Sequence, residues 1–478
     1  MRKVYSKWPG RLVRAAAAWS AVQLGIARAT PPVAGPQAAP IDESTGQPAP
    51  SEGQTGFLSN MQRSQYMLGD MGGLRTLLAK YGMSLTIAET SEVLGNISGG
   101  QHEGFEYDGL TQAVLQLDTQ RAFGLHGGTF NISALQVHGR NLSADNLSTL
   151  QTSSGIEADR STRLWELWYQ QKFLDEDRLD VKIGQQSLDQ EFMVSQNALV
   201  FVNTMFGWPL LPSEDLPGGG PAYPLSAPGV RVRMRPTDSI TILAGAFNGS
   251  PVNNNTGDSQ ERNLSGTTFP LDGGLLAIAE VQYQYPSLGT MVYADSGSDS
   301  LAGTYRFGVW YDTESFADQR FANVTHHGDM GIYAVVDQMI WHSQDDPDHA
   351  LSIFCRAMGT PQTDRNLIDF SLNAGFTLHD PIPHRDDDTL GIGLGFGNVS
   401  QSASDADRDT QATNPRYPIR SNETFLEVTY QYQLTPWCQL QPDFQYIINP
   451  GAGILNPDAP AQRIKDEAVL GMRVNIIF

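Results

Sequence analysis

From residue 83 to residue 478 the chain alternates apolar and polar positions with a period of two. A strand places successive side chains on opposite faces, so each such segment carries one apolar and one polar face. In "TLGIGLGFGNV" (389–399), Leu390, Ile392, Leu394 and Phe396 share one face and Gly391, Gly393, Gly395 and Gly397 the other. In "FLEVTYQYQL" (425–434), Leu426, Val428, Tyr430, Tyr432 and Leu434 oppose Glu427, Thr429, Gln431 and Gln433. In "QLQPDFQYII" (439–448), Leu440, Phe444, Tyr446 and Ile448 oppose Gln439, Gln441, Asp443 and Gln445. Pro442 breaks that run; a closed sheet has no edge to hide a proline, so a bulge or a strand start is expected there.

The pattern predicts sixteen strands, near 83–94, 108–119, 128–139, 162–173, 178–187, 227–235, 239–248, 273–285, 302–312, 330–341, 350–359, 366–379, 388–399, 421–434, 437–449 and 465–478. Short turns, such as "DEDR" (175–178), "PTD" (236–238) and "TP" (435–436), alternate with long loops at 140–161, 188–226, 249–272, 313–329, 400–420 and 450–464. Short turns at one end and long loops at the other are the signature of an outer-membrane barrel, with the short turns in the periplasm. The last strand, "AVLGMRVNIIF", puts Ala468, Leu470, Met472, Val474, Ile476 and Phe478 on one face. Outer-membrane barrels commonly end on such a strand with a terminal aromatic, which points to the barrel-assembly machinery as a partner through Phe478. The expected fold is all-β, a 16-stranded antiparallel transmembrane barrel over 83–478 with a short N-terminal periplasmic helix.

The N-terminus fits export. Arg2, Lys3, Lys7, Arg11 and Arg14 precede "AAAAWSAVQLGI" (15–26) and "ARA" (27–29). That is a three-part secretory signal cut after Ala29, and its apolar run is too short to span a bilayer. The chain's net charge is −21; loss of the signal, with Arg28, leaves 25 basic against 52 acidic residues, net −27. This acidity gives no support for nucleic-acid binding. Residues 30–60, rich in Pro, Gly, Ala, Ser and Gln, read as a disordered linker. Within 61–82, Leu74, Leu77, Leu78 and Tyr81 predict a helix near 70–81 ended by Gly82.

"GVRVRMRPTDSITI" (229–242) places Arg231, Arg233 and Arg235 on one face of a strand and Val230, Val232 and Met234 on the other. A Lys or Arg on the lipid face costs about 2–4 kcal/mol at the midplane. The opposite register sets the arginines in the water inside the barrel. A soluble sandwich is the alternative; the signal segment, the loop asymmetry and Phe478 favour the barrel.

Parity then gives the lumen wall. Glu166, Trp168, Gln170 and Lys172 face inward opposite Leu167, Tyr169 and Phe173. Asp180 and Lys182 face inward opposite Leu179, Val181 and Ile183. The same rule turns inward Arg306, Trp310, Asp312, Arg356, Glu427, Asp443, Glu467, Arg473 and Asn475. Guanidiniums donate and carboxylates accept, so the wall offers both to a polar solute. Trp168 and Trp310 add aromatic faces to it. The bland alternative is that these charges pair across the lumen and merely solvate it. The long loop 188–226, with "LPGGGPAYP" (216–224), is read as a constriction folded into the channel.

Several stretches resemble the carbohydrate-selective porins of the OprB family: "LGDMGGLRTLLAKYGMSL" (68–85), "EVLGNISGG" (92–100), "SALQVHGRNLS" (133–143), "RLWELWYQQKFLDEDRLDVKIGQ" (163–185), "FGWPLLPSEDLPGGGPAYPLSAPGVRVRMRPTD" (206–238), "DRNLIDF" (364–370) and "RDDDTLGIGLGF" (385–396). The likeness runs from about 68 to 478 and covers loops as well as strands. One departure is Met71, where a Trp is expected. The resemblance implies a sixteen-stranded outer-membrane porin that passes glucose and related sugars by diffusion, without a cofactor; in such a channel the guanidiniums and carboxylates suit sugar hydroxyls, and Trp168 and Trp310 offer faces to a pyranose ring. A barrel hydrolase and an adhesin are the competing readings; neither gives a steady, sugar-sensitive conductance. The glycines at 391–397 alternate within a strand and are no nucleotide loop. His326-His327 in loop 313–329 and "DADRD" (405–409) read as solvated loop residues rather than metal ligands. Cys355 and Cys438 fall on nonadjacent strands and are not expected to bond.

Overall fold

The computed structural model describes residues 64–252, 257–286, 301–346 and 348–478. The expected signal segment and linker, 1–60, lie outside the described residues. Sixteen strands form one closed antiparallel barrel in chain order, β16 pairing with β1. They are β1 Met83–Gly100, β2 Gly104–Asp118, β3 Gly128–Gly139, β4 Ser161–Phe173, β5 Leu179–Gln186, β6 Ala227–Met234, β7 Ile240–Asn248 and β8 Leu275–Tyr285. They continue as β9 Gly303–Ala317, β10 Thr325–His342, β11 Ala350–Gly359, β12 Ile368–His379, β13 Thr389–Val399, β14 Asn422–Thr435, β15 Cys438–Ile448 and β16 Lys465–Ile477.

Parity decides which way each strand faces. Val230, Val232 and Met234 are exposed on the outer wall, as are Leu167, Ile183, Phe307, Val309, Leu426, Leu470 and Met472. Aromatic residues gather toward both ends of this belt, with Tyr283, Tyr285 and Tyr305 near the short turns and Tyr107 and Tyr446 nearer the long loops. Such girdles mark the two membrane interfaces of an outer-membrane barrel.

Three expectations change. β9 runs on to Ala317 and β10 begins at Thr325, so the loop expected over 313–329 shrinks to 318–324 and His326 and His327 sit on a strand. Ladder hydrogen bonds use the backbone alone, so pairing continues where the side chains turn polar. Pro442 makes neither bulge nor strand start. It lies outward opposite Met472; the β14 ladder lapses between Thr429↔Asp443 and Tyr432↔Leu440 with its register kept, and shifts register between Gln433 and Thr435, away from the proline. The "DADRD" segment lies in the helix Gln401–Thr413, where Arg320 takes Asp405 and Asp409, and Arg420 takes Asp407. The N-terminal helix α1, Leu74–Lys80, forms as expected, and Gly82 turns the chain at φ +71°. Its stripe does not pack: Leu74, Leu77 and Tyr81 stay exposed. Instead Arg75 ties α1 to the barrel by donating to the carbonyls of Leu85, at 2.6 Å, and Phe478. Cys355 on β11 and Cys438 on β15 are both free.

β3 and β4 carry one bulge, between Ile132↔Leu167 and Ala134↔Leu164. The extra residue resets parity, so Trp165 and Glu166 are both buried in the interior. The apolar core lies inside the barrel, where the long connection between β5 and β6 packs on the inner wall.

Candidate functional site

That connection, residues 187–226, turns into the lumen and crosses toward β14. Phe201 and Phe206 stack at 4.2 Å between centroids, and Phe206 meets Phe354 of β11 at 5.7 Å and Phe425 of β14 at 5.3 Å. Phe192 packs edge-on against Phe247 of β7 at 6.4 Å. The alternating glycines of β13 explain how the loop lies so close to the wall. A Cβ on Gly393 would stand 2.6 Å from Phe206 and 2.9 Å from Phe201, and one on Gly397 would collide with Leu210. Glycine there leaves a smooth backbone surface for the loop to lie on.

Inward-facing charges hold the loop in place. Lys182 and Arg231 are direct cross-strand neighbours on β5 and β6, as are Asp180 and Arg233. Arg231 donates to Asp180 and, at 3.0 Å, to Glu191 near the head of the loop; Lys182 bridges to the same Glu191. Arg233 reaches the other oxygen of Asp180 at 2.6 Å. Burial pushes the Glu191 carboxyl up, but Arg231, Lys182 and Arg233 outweigh it and hold the group down at about 2. Asp189, two residues earlier, has no cation beside it, and burial pushes it up to about 7 despite hydrogen bonds from Ser187, Gln190 and the Tyr223 amide.

Further along, Arg306 pairs with Asp337 at 2.7 Å, and Asp337 accepts from the Ser195 hydroxyl and the amides of Gln196 and Asn197. Arg356 donates to four loop carbonyls: Met193 at 2.8 Å, Gly207 at 2.9 Å, Phe206 at 3.0 Å, and Met205. Glu427 accepts from the amides of Val202 at 2.6 Å and Asn203 at 3.0 Å. Arg473 pairs with Glu92 and reaches the Val202 carbonyl at 3.4 Å. These are charge-assisted hydrogen bonds, roughly twice as strong as neutral ones.

The side chains assigned to the interior by parity lie there, but they do not form an open row of cations. Arg231 and Arg356 are each 1% exposed, and Arg233 is 17% exposed. Trp310, expected to offer a face to a sugar ring, is 2% exposed inside the apolar cluster, over Gly331. Trp168 is half-buried, carries the Lys182 ammonium 4.7 Å over its ring and donates to Glu166 at 3.2 Å. Gln170 accepts weakly from Arg231 at 3.5 Å, and Asp443 accepts from Gln445 at 2.9 Å. Lys172 pairs with Asp177, and Arg235 donates to the carbonyls of Glu176 and Asp177, both at the short-turn end.

Sequence reading missed Glu191 and Asp337. Glu191 lies in a loop, where no periodicity assigns a direction. Asp337 was legible, because it shares the inward parity of Tyr333 and Val335 on β10. Parity assigns Asn475 inward but leaves Thr90, Gln116 and Asn131 unmarked; these amides and hydroxyls face inward from β1, β2, β3 and β16 beside the charged Glu92, Asp108, Glu467 and Arg473. There Thr90 donates to Asn475 at 2.8 Å, Asn475 to Gln439 at 3.0 Å, and Gln116 to Asn131 at 3.2 Å. Amides and hydroxyls of this kind both donate and accept, as a sugar hydroxyl does.

A closed sixteen-stranded barrel with an apolar outer belt and an inward-folded loop is an outer-membrane channel of the porin class. The chain belongs to the carbohydrate-selective porin, OprB family, whose model matches residues 102–478. It is 25% identical over 453 residues to Porin B of Pseudomonas aeruginosa, covering 87% of this chain and 92% of that protein. It is 22% identical over 441 residues to a putative porin, QuiX, of Acinetobacter baylyi, covering 87% of this chain and 94% of that protein. Among solved structures, the high-pH structure of Pseudomonas putida OprB superposes with a TM-score of 0.73 at 24% identity, over 87% of this chain and 99% of that one.

Proposed function

We propose that the chain conducts neutral sugars of about monosaccharide size, glucose and related sugars among them, by passive diffusion. One observation carries this reading: loop 187–226 lies inside the barrel, held by Arg231, Lys182, Arg356 and Glu427, and so narrows a channel whose remaining wall mixes amides and hydroxyls with the Arg473–Glu92 pair. Binding in such a channel stays weak and divided among many groups, as conduction requires. In this reading the arginine row mainly positions the loop. Arg233, Trp168 and Lys172, the less buried members of that wall, meet the solute. The membership of the family supports a channel over an enzyme or an adhesin.

The test is planar-bilayer recording of detergent-purified protein with glucose titrated into the chamber. A steady conductance that glucose blocks in a graded way supports the reading. A silent membrane, or a conductance indifferent to glucose, would return it to the enzyme or adhesin alternatives.

A further inference from the structure

Several short turns at the periplasmic end have acidic tips. The β4–β5 turn carries Asp175, Glu176 and Asp177, and the β12–β13 turn Asp386, Asp387 and Asp388. One sector departs from this. α1, which leads into β1, exposes Leu74, Leu77 and Tyr81 along one stripe, and the β2–β3 turn exposes Phe123 at 72% and Leu125 at 54%. The two elements touch. A Cβ on Gly82, just past α1, would stand 2.8 Å from the Asp118 carbonyl and 2.9 Å from the Arg121 Cβ. Above the turn, Phe130 and Ile132 of β3 lie outward and exposed beside Leu117 and Leu115 of β2, so the apolar surface runs on from the lipid-facing wall.

The charge of this sector is also unusual for a chain of net −21. It holds Arg75, Lys80 and Arg121 against Asp70 and Asp118. Both carboxylates are engaged locally: Asp70 accepts from the amide and hydroxyl of Thr76, and Asp118 from the amides of Gln120 and Arg121. Lys80 and Arg121 are exposed and make no ion pair among the described residues. Exposed leucine and aromatic side chains flanked by unpaired cations are the mark of a segment lying in a membrane interface. A free phosphate would use the cations and leave the apolar stripe in water.

We propose that α1 and the β2–β3 turn form a docking surface for phospholipid of the periplasmic leaflet. Leu77, Tyr81 and Phe123 enter the acyl boundary, and Lys80 and Arg121 meet the phosphates. The helix is thus an interfacial anchor rather than a free periplasmic segment. It sits at the seam where the barrel closes, because Arg75 donates to the carbonyls of Leu85 on β1 and of Phe478 after β16. Lipid that holds α1 therefore also holds the first and last strands.

The experiment uses the full chain with Cys355→Ala and Cys438→Ala, in vesicles of phosphatidylethanolamine and phosphatidylglycerol. A single cysteine, Phe123→Cys or, as control, Ile382→Cys in the acidic β12–β13 turn, carries a bimane label; Ile382 is 50% exposed. The quencher is a phospholipid with a nitroxide on its headgroup. Quenching should be at least about threefold stronger at 123 than at 382. Lys80→Glu with Arg121→Glu should bring it down to the level at 382, with heat-modifiable mobility unchanged. Leu77→Cys gives the same reading from α1 if the turn variant does not fold. Equal quenching at 123 and 382, or a charge variant quenched like its parent, would overturn the proposal. So would self-quenching of the label at 123 that vanishes on dilution with unlabelled protein, since another copy would then cover the patch.

Discussion

Arg231 and Glu191 meet at 3.0 Å where the inward loop leaves the barrel wall, and Lys182 grips the same carboxylate from the neighbouring strand. The wall strand places both cations, and the loop supplies the anion. The row of arginines faces water by parity and then loses most of that water to the loop it holds.

Arg231→Gln with Arg233→Gln leaves one cation, Lys182, among two carboxylates, Asp180 and Glu191, where there were three. Breaking one side of a buried ion pair costs about 3–5 kcal/mol, so the head of the loop should loosen. Single-channel recordings should show noisier currents, weaker glucose block and a shift toward cations. Val232→Thr faces lipid and should change none of these. A double variant with wild-type block and selectivity would make the node mere filling.

Glu214 lies in the loop with neither carboxylate oxygen hydrogen-bonded, and burial with Glu423 nearby pushes it up to about 8. Its folded-state affinity for a proton exceeds the unfolded one, as does that of Asp189 at about 7. These groups therefore favour the folded form as pH falls from 8 toward 5. Glu191 has the opposite sign: its contribution is present above its ordinary value and lost as pH falls through about 2. The half-time of heat unfolding, read from the gel shift of the folded barrel, should lengthen from pH 8.5 to 5.5. Glu214→Gln should outlast the parent at pH 8.5 and converge with it at 5.5. An unchanged pH profile in the variant would place Glu214 in water.

Much of this was legible in the sequence, because period two has one physical reading in a barrel. Glu166, Asp180, Arg231, Arg306, Arg356 and Glu427 fall inside by parity alone, and they lie inside. Their partners were not legible. Glu191 meets Arg231 only because a forty-residue connection folds inward, and no local pattern encodes a loop's path. The glycines of β13 did carry a signal. Four small residues on the inward face announce a close approach, but not what approaches.

Gly393→Val should expel the loop without harming the barrel. The added side chain starts 2.6 Å from Phe206, and overpacking of this kind costs about 1–3 kcal/mol. Conductance should rise, with heat-modifiable mobility unchanged. Wild-type conductance in a folded variant would show that β13 does not support the loop.

The most direct measurement compares single-channel conductance and uptake of glucose against a disaccharide, in the parent and in a variant lacking residues 214–222. The deletion removes Asp215, which accepts from the amides of Leu367 and Ile368 and pins the loop to β12. If the inward loop sets the narrow part of the channel, conductance rises and the disaccharide enters proteoliposomes nearly as fast as glucose. Unchanged conductance and unchanged discrimination between the two sugars would place the selective narrowing elsewhere in the barrel.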